Sequence, residues 1–183
     1  MQKKNLNLLI RSALFLALGI ILPFFTAQIK ELGDTFLPMH IPIMLCGLTC
    51  GPWYGLLVGI ILPFIRSLMF SMPPMYPNAI WMALELATYG FVIGILFRRS
   101  KKYSLRYLYF CLISSIISGR IVWGISKAAL LGISGNPFTF TAFLTGGFLD
   151  SIPGIILQLI LIPAIMSAIV KLKEKNIPKE LDK

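Results

Sequence analysis

The chain begins with a long apolar stretch at residues 6–25, LNLLIRSALFLALGIILPFF. A helix of about 20 such residues is about 30 Å long, which matches the hydrocarbon thickness of a bilayer. Arg11 is its single charged residue and lies toward the end that Lys3 and Lys4 precede. No small-residue cleavage site of the A-x-A kind follows the stretch. It therefore predicts a retained membrane-spanning helix and not a removed signal peptide.

The whole chain has the composition of a protein that lives in lipid. Its 183 residues are 57% hydrophobic and only 13% charged, whereas soluble domains carry about 25% charged residues. Five more apolar stretches follow the first, at residues 37–50, 55–69, 78–97, 105–131 and 143–170. We therefore predict an all-α membrane protein with one domain, residues 1–183, that is a bundle of six transmembrane helices. The second stretch is short, so we expect its helix to be tilted or partly interfacial.

Glycine and proline mark the turns and the close helix contacts. Residues 51–54 read as a tight turn, and Gly51, Gly55 and Gly59 recur at every fourth residue. This spacing predicts that the third helix approaches a neighbour closely. Three prolines within residues 71–77 predict a structured outer loop before the fourth helix, because proline cannot donate a backbone hydrogen bond. Residues 28–35 and 132–140 are the other two predicted outer loops.

The basic residues give the orientation. Of the 17 Lys and Arg residues, Arg120 and Lys127 lie within the fifth stretch, and Lys30 and Arg66 lie in or near outer loops. All the others fall on one side of the predicted membrane, in the N-terminal region, the loop after the fourth helix and the C-terminal region. Both ends of the chain are therefore predicted to be cytoplasmic. Basic residues in cytoplasmic loops and termini also account for the formal net charge of +10, so we expect no nucleic-acid partner.

Sequence motifs for enzymatic chemistry are missing. The chain has no phosphate-binding loop for ATP, no G-x-S-x-G elbow and no C-x-x-C pair, and His40 is its one histidine. Cys46, Cys50 and Cys111 lie in apolar stretches and are interpreted as packing residues. We therefore expect no enzyme, no metal and no cofactor. Any active transport must be powered by other proteins.

Four ionisable side chains lie inside the predicted membrane: Glu85, Arg120, Lys127 and Asp150. Each costs about 2.5–3.5 kcal/mol at the centre of a spanning helix, so lipid-facing positions are unfavourable. We expect all four to line one cavity that opens to the outside. Two interpretations stay open for each acidic residue, since Glu85 or Asp150 can bind a ligand or can form a salt bridge with Arg120 that holds the bundle together.

Helical spacing adds further candidates for this cavity. Each of the last three helices has a polar face with residues at i, i+3, i+4 or i+7. At the outer end of the second helix, a histidine can contact a ligand or have a structural role. The predicted substrate-binding residues are Asn78, Glu85 and Tyr89 on the fourth helix, Arg120, Trp123 and Lys127 on the fifth, Asp150 and Gln158 on the sixth, and His40.

These features together resemble the substrate-binding S component of an energy-coupling-factor (ECF) transporter. The resemblance rests on six short spans with both ends inside, a proline-rich loop before the fourth helix, the Gly51–Pro52 turn, polar faces on the last three helices, and the alanines Ala13 and Ala17 one helical turn apart. The segment 37–51, followed by long third and fourth spans, is similar to the group that includes pantothenate transporters.

The resemblance implies a function and a set of partners. An S component captures a scarce vitamin in an outward pocket in the bacterial cell membrane, and docks through a face such as that of Ala13 and Ala17 onto a transmembrane coupling subunit with two ATPase subunits. The charges of the expected cavity favour a small acidic or zwitterionic cargo, such as pantothenate or a vitamin B6 form. The alternative is a self-sufficient, ion-coupled secondary transporter of a small organic solute that uses Glu85 or Asp150.

Overall fold

The computed structural model describes residues 2–26, 35–100, 103–133 and 138–175, and this part of the chain is helical with no β-strand. The predicted outer loops at 28–35 and 132–140 lie partly outside the described residues. The helices are α1 (Gln2–Ile21), which continues into a 3₁₀ turn (Leu22–Thr26), α2 (His40–Cys50), α3 (Pro52–Phe70), α4 (Ile80–Arg99), α5 (Leu105–Ile133), α6 (Phe140–Leu144) and α7 (Ile152–Lys175). A π-helical turn lies at Thr145–Leu149, and Met75–Ala79 is a kinked segment in which Tyr76 is extended.

Five apolar helical segments in the described residues are long enough to cross a membrane. They are Asn5–Phe24, Pro52–Phe70, Met75–Arg99, Leu105–Gly132 and Phe140–Leu172. The sixth, α2, has only 11 residues, or about 16 Å of helix. The all-α, multi-pass prediction is confirmed, with the correction that the second helix is too short to span the bilayer alone. It cannot extend through residue 37, because Leu37 has a left-handed backbone with φ of 51°.

The short helix α2 lies in the centre of the bundle. Ten of its 11 residues are buried, and Thr49 is the exception. It packs against α1, α3, α4 and α7, and Ile43, Met44 and Cys46 are completely inaccessible. A helix that is apolar on all sides is typical of such a central position. These four helices therefore surround α2 and leave their outer faces for lipid.

Glycines bring α3 against α4, as their spacing predicts. A Cβ atom at Gly55 would lie 2.6 Å from the carbonyl oxygen of Gly90, and one at Gly59 would lie 2.5 Å from the amide nitrogen of Ala87. Gly51 has φ of 106° and ends α2. Pro52 then begins α3 directly, since proline is well suited to the first turn of a helix. The predicted turn over 51–54 is therefore shorter, and the helix begins before residue 55.

Basic residues distinguish one end of the bundle from the other. The Gly51 turn lies beside Arg98, whose guanidinium carbon would be 3.5 Å from a Cβ at residue 51. The N-terminus of α3 and the C-terminus of α4 therefore lie at the same end, which the basic residues predict to be cytoplasmic. Ser71 to Pro74 and the C-terminal turn of α5 lie at the other, outer end.

The last apolar segment is interrupted, whereas the sequence predicts one continuous helix over 143–170. It consists of α6, the π turn Thr145–Leu149, a break at Asp150 and Ser151, and α7. The amide of Asp150 donates to the carbonyl of Thr145 at 2.9 Å, a bond of π-helical spacing. The extra residue in this turn changes the face on which the following residues lie, which matters for the site described next.

A candidate ligand cavity at the outer end of the bundle

A cavity of about 490 Å³ opens at the outer end, beside the N-terminus of α2. The cavity lies in the outer half of the bundle, which α2 is too short to reach. Its wall is formed by residues from the end of α1, the start of α2, α3 to α5 and the break before α7: Pro23, Leu37, Pro38, Met39, His40, Arg66, Met72, Pro73, Pro74, Asn78, Trp81, Met82, Glu85, Arg120, Trp123, Lys127, Leu131, Gly146, Asp150 and Ser151.

A carboxylate lies at the centre of the buried polar groups of this cavity. Oε1 of Glu85 accepts hydrogen bonds from Nη1 of Arg120 at 2.9 Å and from the hydroxyl of Tyr89 at 3.1 Å. Nε2 of His40 lies 3.5 Å from the same oxygen. All four residues are at most 2% exposed. The pair of Glu85 and Arg120 is therefore a buried ion pair that joins α4 to α5.

Arg120 keeps unused hydrogen-bonding capacity. Its Nε and Nη2 atoms are buried and have no hydrogen-bond partner among the described residues, and the same is true of both ring nitrogens of His40. The Nε–H and Nη2–H groups of a guanidinium point to one side and match the two oxygens of a carboxylate. Because buried polar groups are normally paired, this side of Arg120 is suited to an acidic ligand.

Aromatic rings surround the second cation of the cavity. Nζ of Lys127 lies 4.5 Å from the ring centroid of Trp123, 5.5 Å from that of Trp81 and 5.3 Å from that of Phe138. Attraction to aromatic faces stabilises an ammonium group where water is scarce. The guanidinium carbon of Arg120 lies 5.9 Å from the ring centroid of Trp123. This wall therefore combines positive charge with flat apolar surfaces.

Most of the predicted substrate-binding residues lie at one cavity. Asn78, Glu85, Arg120, Trp123, Lys127, Asp150 and His40 all line it. The acidic partner of Arg120 is Glu85. Of the two acidic residues that the sequence offered for a salt bridge with Arg120, Glu85 forms it. Asp150 is exposed at the break before α7.

Two predicted residues do not line the cavity. Tyr89 is 1% exposed and contacts the site through its hydrogen bond to Glu85 and through the ring of His40, whose centroid lies 5.0 Å from that of Tyr89. Gln158 is 1% exposed on α7. The prediction for Gln158 assumed an unbroken helix, whereas the helix is broken at Asp150 and Ser151. Asp150 is exposed and Gln158 is buried. Ala13 and Ala17 are exposed on α1, outside the cavity.

Trp81 and Arg66 are among the cavity-lining residues that were not predicted to bind substrate. Trp81 lines the cavity beside Lys127. Arg66 was assigned to the outer loops, but it is 3% exposed on α3 and also lines the cavity. Its position inside an apolar stretch is the same signal that identified Arg120. No three His, Cys, Asp or Glu side chains of the described residues are grouped so as to hold a metal ion.

Comparison with known proteins gives one match. The model of a family described as "ECF transporter, substrate-specific component" matches residues 7–166. This range contains every residue that lines the cavity. Searches of curated proteins and of solved structures found no match.

The buried ion pair makes a testable prediction about stability. Glu85→Leu and Arg120→Met each leave one buried charge uncompensated, so each should lower the free energy of unfolding by about 3–5 kcal/mol. The double variant leaves no such charge and should be more stable than either single variant. Chemical unfolding in mixed micelles, without added ligand, measures the three values. Arg106→Met, at an exposed position of the same helix, should change the value by less than about 0.5 kcal/mol. Additive losses in the double variant would contradict the pairing.

Proposed function

This chain belongs to the family of substrate-specific components of ECF transporters, and from that premise we propose that it captures a small, acidic, water-soluble vitamin outside the cell for ATP-driven import. Pantothenate or a vitamin B6 form is the favoured cargo. The observation that carries the proposal is the unpaired side of the Arg120 guanidinium, buried in the wall of a cavity. The family fits a role in substrate binding and transport and not in catalysis.

The charges of the cavity favour an acidic ligand. Three cationic side chains line it, Arg66, Arg120 and Lys127, against the carboxylates of Glu85 and Asp150. Glu85 is already paired with Arg120, so the remaining groups carry a net positive charge. An anion that enters the cavity replaces lost hydration with these interactions. A neutral or cationic ligand would not gain this attraction.

The size of the cavity limits the cargo. A volume of about 490 Å³ lies within the usual range for small-molecule sites, roughly 300–1,000 Å³. Pantothenate and the vitamin B6 forms fit such a volume, whereas cobalamin is far larger. Residues 37–51 form the cavity edge and α2. The similarity of this segment to the group that includes pantothenate transporters supports the finer proposal that the chain is of the pantothenate type.

Each wall of the cavity has a role in the proposed complex. Glu85 fixes the orientation of Arg120, whose free side binds the carboxylate or phosphate of the cargo. Lys127 adds a second positive charge near this group. Trp81 and Trp123 pack against the apolar part of the cargo. Asn78, Asp150 and His40 supply donors and acceptors for hydroxyl or ring-nitrogen groups.

Energy for import comes from separate proteins in this proposal. The sequence contains no phosphate-binding loop for ATP. The proposed partners are a transmembrane coupling subunit and two ATPase subunits in the bacterial cell membrane. Ala13 and Ala17 are exposed and one turn apart on α1, and small residues at this spacing permit close helix contact. We assign the docking surface to this face.

Direct binding measurements test the cargo. Purified protein in nanodiscs should bind pantothenate or pyridoxal 5′-phosphate in isothermal titration calorimetry. Arg120→Gln should weaken binding about 10- to 100-fold, because a charge-assisted hydrogen bond contributes about 1.5–3 kcal/mol. Arg106→Gln, which removes an exposed arginine from the same helix, is the matched control and should bind normally. The proposal fails if the wild-type protein binds neither vitamin, or if Arg120→Gln binds as tightly as the wild type.

The docking surface has its own test. Ala13→Trp and Ala17→Trp should abolish vitamin uptake by cells that contain the coupling module, because bulky side chains hold the partner helix away. Binding to the purified variants should be unchanged. Ala129→Trp, a similar change at another exposed alanine, should leave uptake intact. Loss of binding in the α1 variants would count against a docking role.

Ion-dependent uptake by liposomes that contain only this protein would instead establish the secondary-transporter alternative.

A further inference from the structure

Arg66 on α3 repeats the arrangement of Arg120 on α5. Its side chain is 3% exposed and lines the cavity. Nη1 donates to the backbone carbonyl of Ile20, much as Nη1 of Arg120 donates to Glu85. Its Nε is buried and has no hydrogen-bond partner among the described residues. In both arginines, Nη1 is held by the protein while Nε has no hydrogen-bond partner among the described residues.

The contacts of Arg66 hold its guanidinium in place. The carbonyl of Ile20 belongs to the last turn of α1, where helix carbonyls lack partners within the helix. The guanidinium carbon lies 5.3 Å from the ring centroid of Phe70 and 5.9 Å from that of Phe24, and these two rings pack edge-to-face at 5.0 Å. A capping role alone uses only one of the five N–H groups of the side chain. These contacts therefore give no role to the Nε–H group of Arg66.

The two arginines belong to different walls of the cavity. On α4, Ala87 and Gly90 meet α3, whereas Glu85 meets Arg120 of α5. At about 100° per residue, Glu85 and Ala87 point about 200° apart. Helices α3 and α5 therefore pack on nearly opposite faces of α4. A ligand in the cavity lies between a guanidinium from each side.

We propose that Arg66 binds a second acceptor group of the cargo, so that the cargo carries oxygen-containing groups at both ends. Arg120 takes the acidic end, because two of its donors are unpaired and Lys127 contributes further charge on the same helix. Arg66 takes a hydroxyl, carbonyl or phenolate oxygen at the other end. This inference rests on the proposed function, and it narrows the substrate class by excluding acids with an entirely apolar tail.

Two probes that differ only at the acidic end test this assignment. They are pantothenate and panthenol, in which an alcohol replaces the carboxylate. Arg66→Gln should weaken binding of both probes by the same factor, about tenfold, and keep the preference of the wild-type protein for pantothenate. Arg120→Gln should remove most of that preference. The pair of pyridoxal 5′-phosphate and pyridoxal serves the same purpose if the wild-type protein prefers a vitamin B6 form.

Arg66→Lys separates ligand binding from the structural role of Arg66. An ammonium group can still donate to the carbonyl of Ile20, so the thermal unfolding temperature should stay close to that of the wild type. It lacks the planar donor pair, so both probes should again bind about tenfold more weakly. A variant that loses stability but binds normally would show a structural role alone.

The outcomes distinguish this inference from the proposed function. If the wild-type protein binds none of the four probes, the proposed function fails. If it binds a probe pair but the Arg66 variants bind with unchanged affinity, only the assignment of Arg66 fails. Loss of the preference for the acidic probe in Arg66→Gln would also overturn it, since Arg66 would then hold the acidic end.

Discussion

The length of α2 determines where the polar groups of this protein lie. Eleven residues give about 16 Å of helix, roughly half of the hydrocarbon thickness of a bilayer. The helix fills the centre of the bundle in the half nearer the basic end and begins at His40. Four of the five longer apolar segments pack against it, and the outer half has walls but no central helix. The cavity occupies that space.

The ionisable groups at the inner limit of the cavity lie in the space that the short α2 leaves open. A cavity at this depth allows ionisable residues to avoid lipid, and Glu85 accepts from both Arg120 and Tyr89. Such a pair needs partners for its remaining donors and acceptors. Glu85 has them, whereas Arg120 retains two unpaired nitrogen atoms. The same asymmetry on α3, where Arg66 binds Ile20 through one nitrogen only, extends the donor surface to the opposite wall.

Hydropathy and charge predicted much of this structure. The long apolar stretches became helices, the glycine repeat brought α3 against α4, and the high energetic cost of buried charge identified Glu85, Arg120 and Lys127. Other features depend on local backbone geometry that residue patterns do not reveal. The left-handed backbone of Leu37 shortens α2, and the break at Asp150 and Ser151 interrupts the last apolar stretch before Gln158. Arg66 was missed because it lies near the end of its apolar stretch, where an arginine usually extends to the membrane surface.

The central claim is that the space left by the short α2 holds a small acidic molecule. Mass spectrometry of the small molecules released from gently purified protein tests it directly, because tightly bound cargo co-purifies. The account predicts a stoichiometric compound with a carboxylate or phosphate group, present with wild-type protein and depleted with Arg120→Gln. A neutral or cationic compound, or an acidic one retained equally by both proteins, would contradict it.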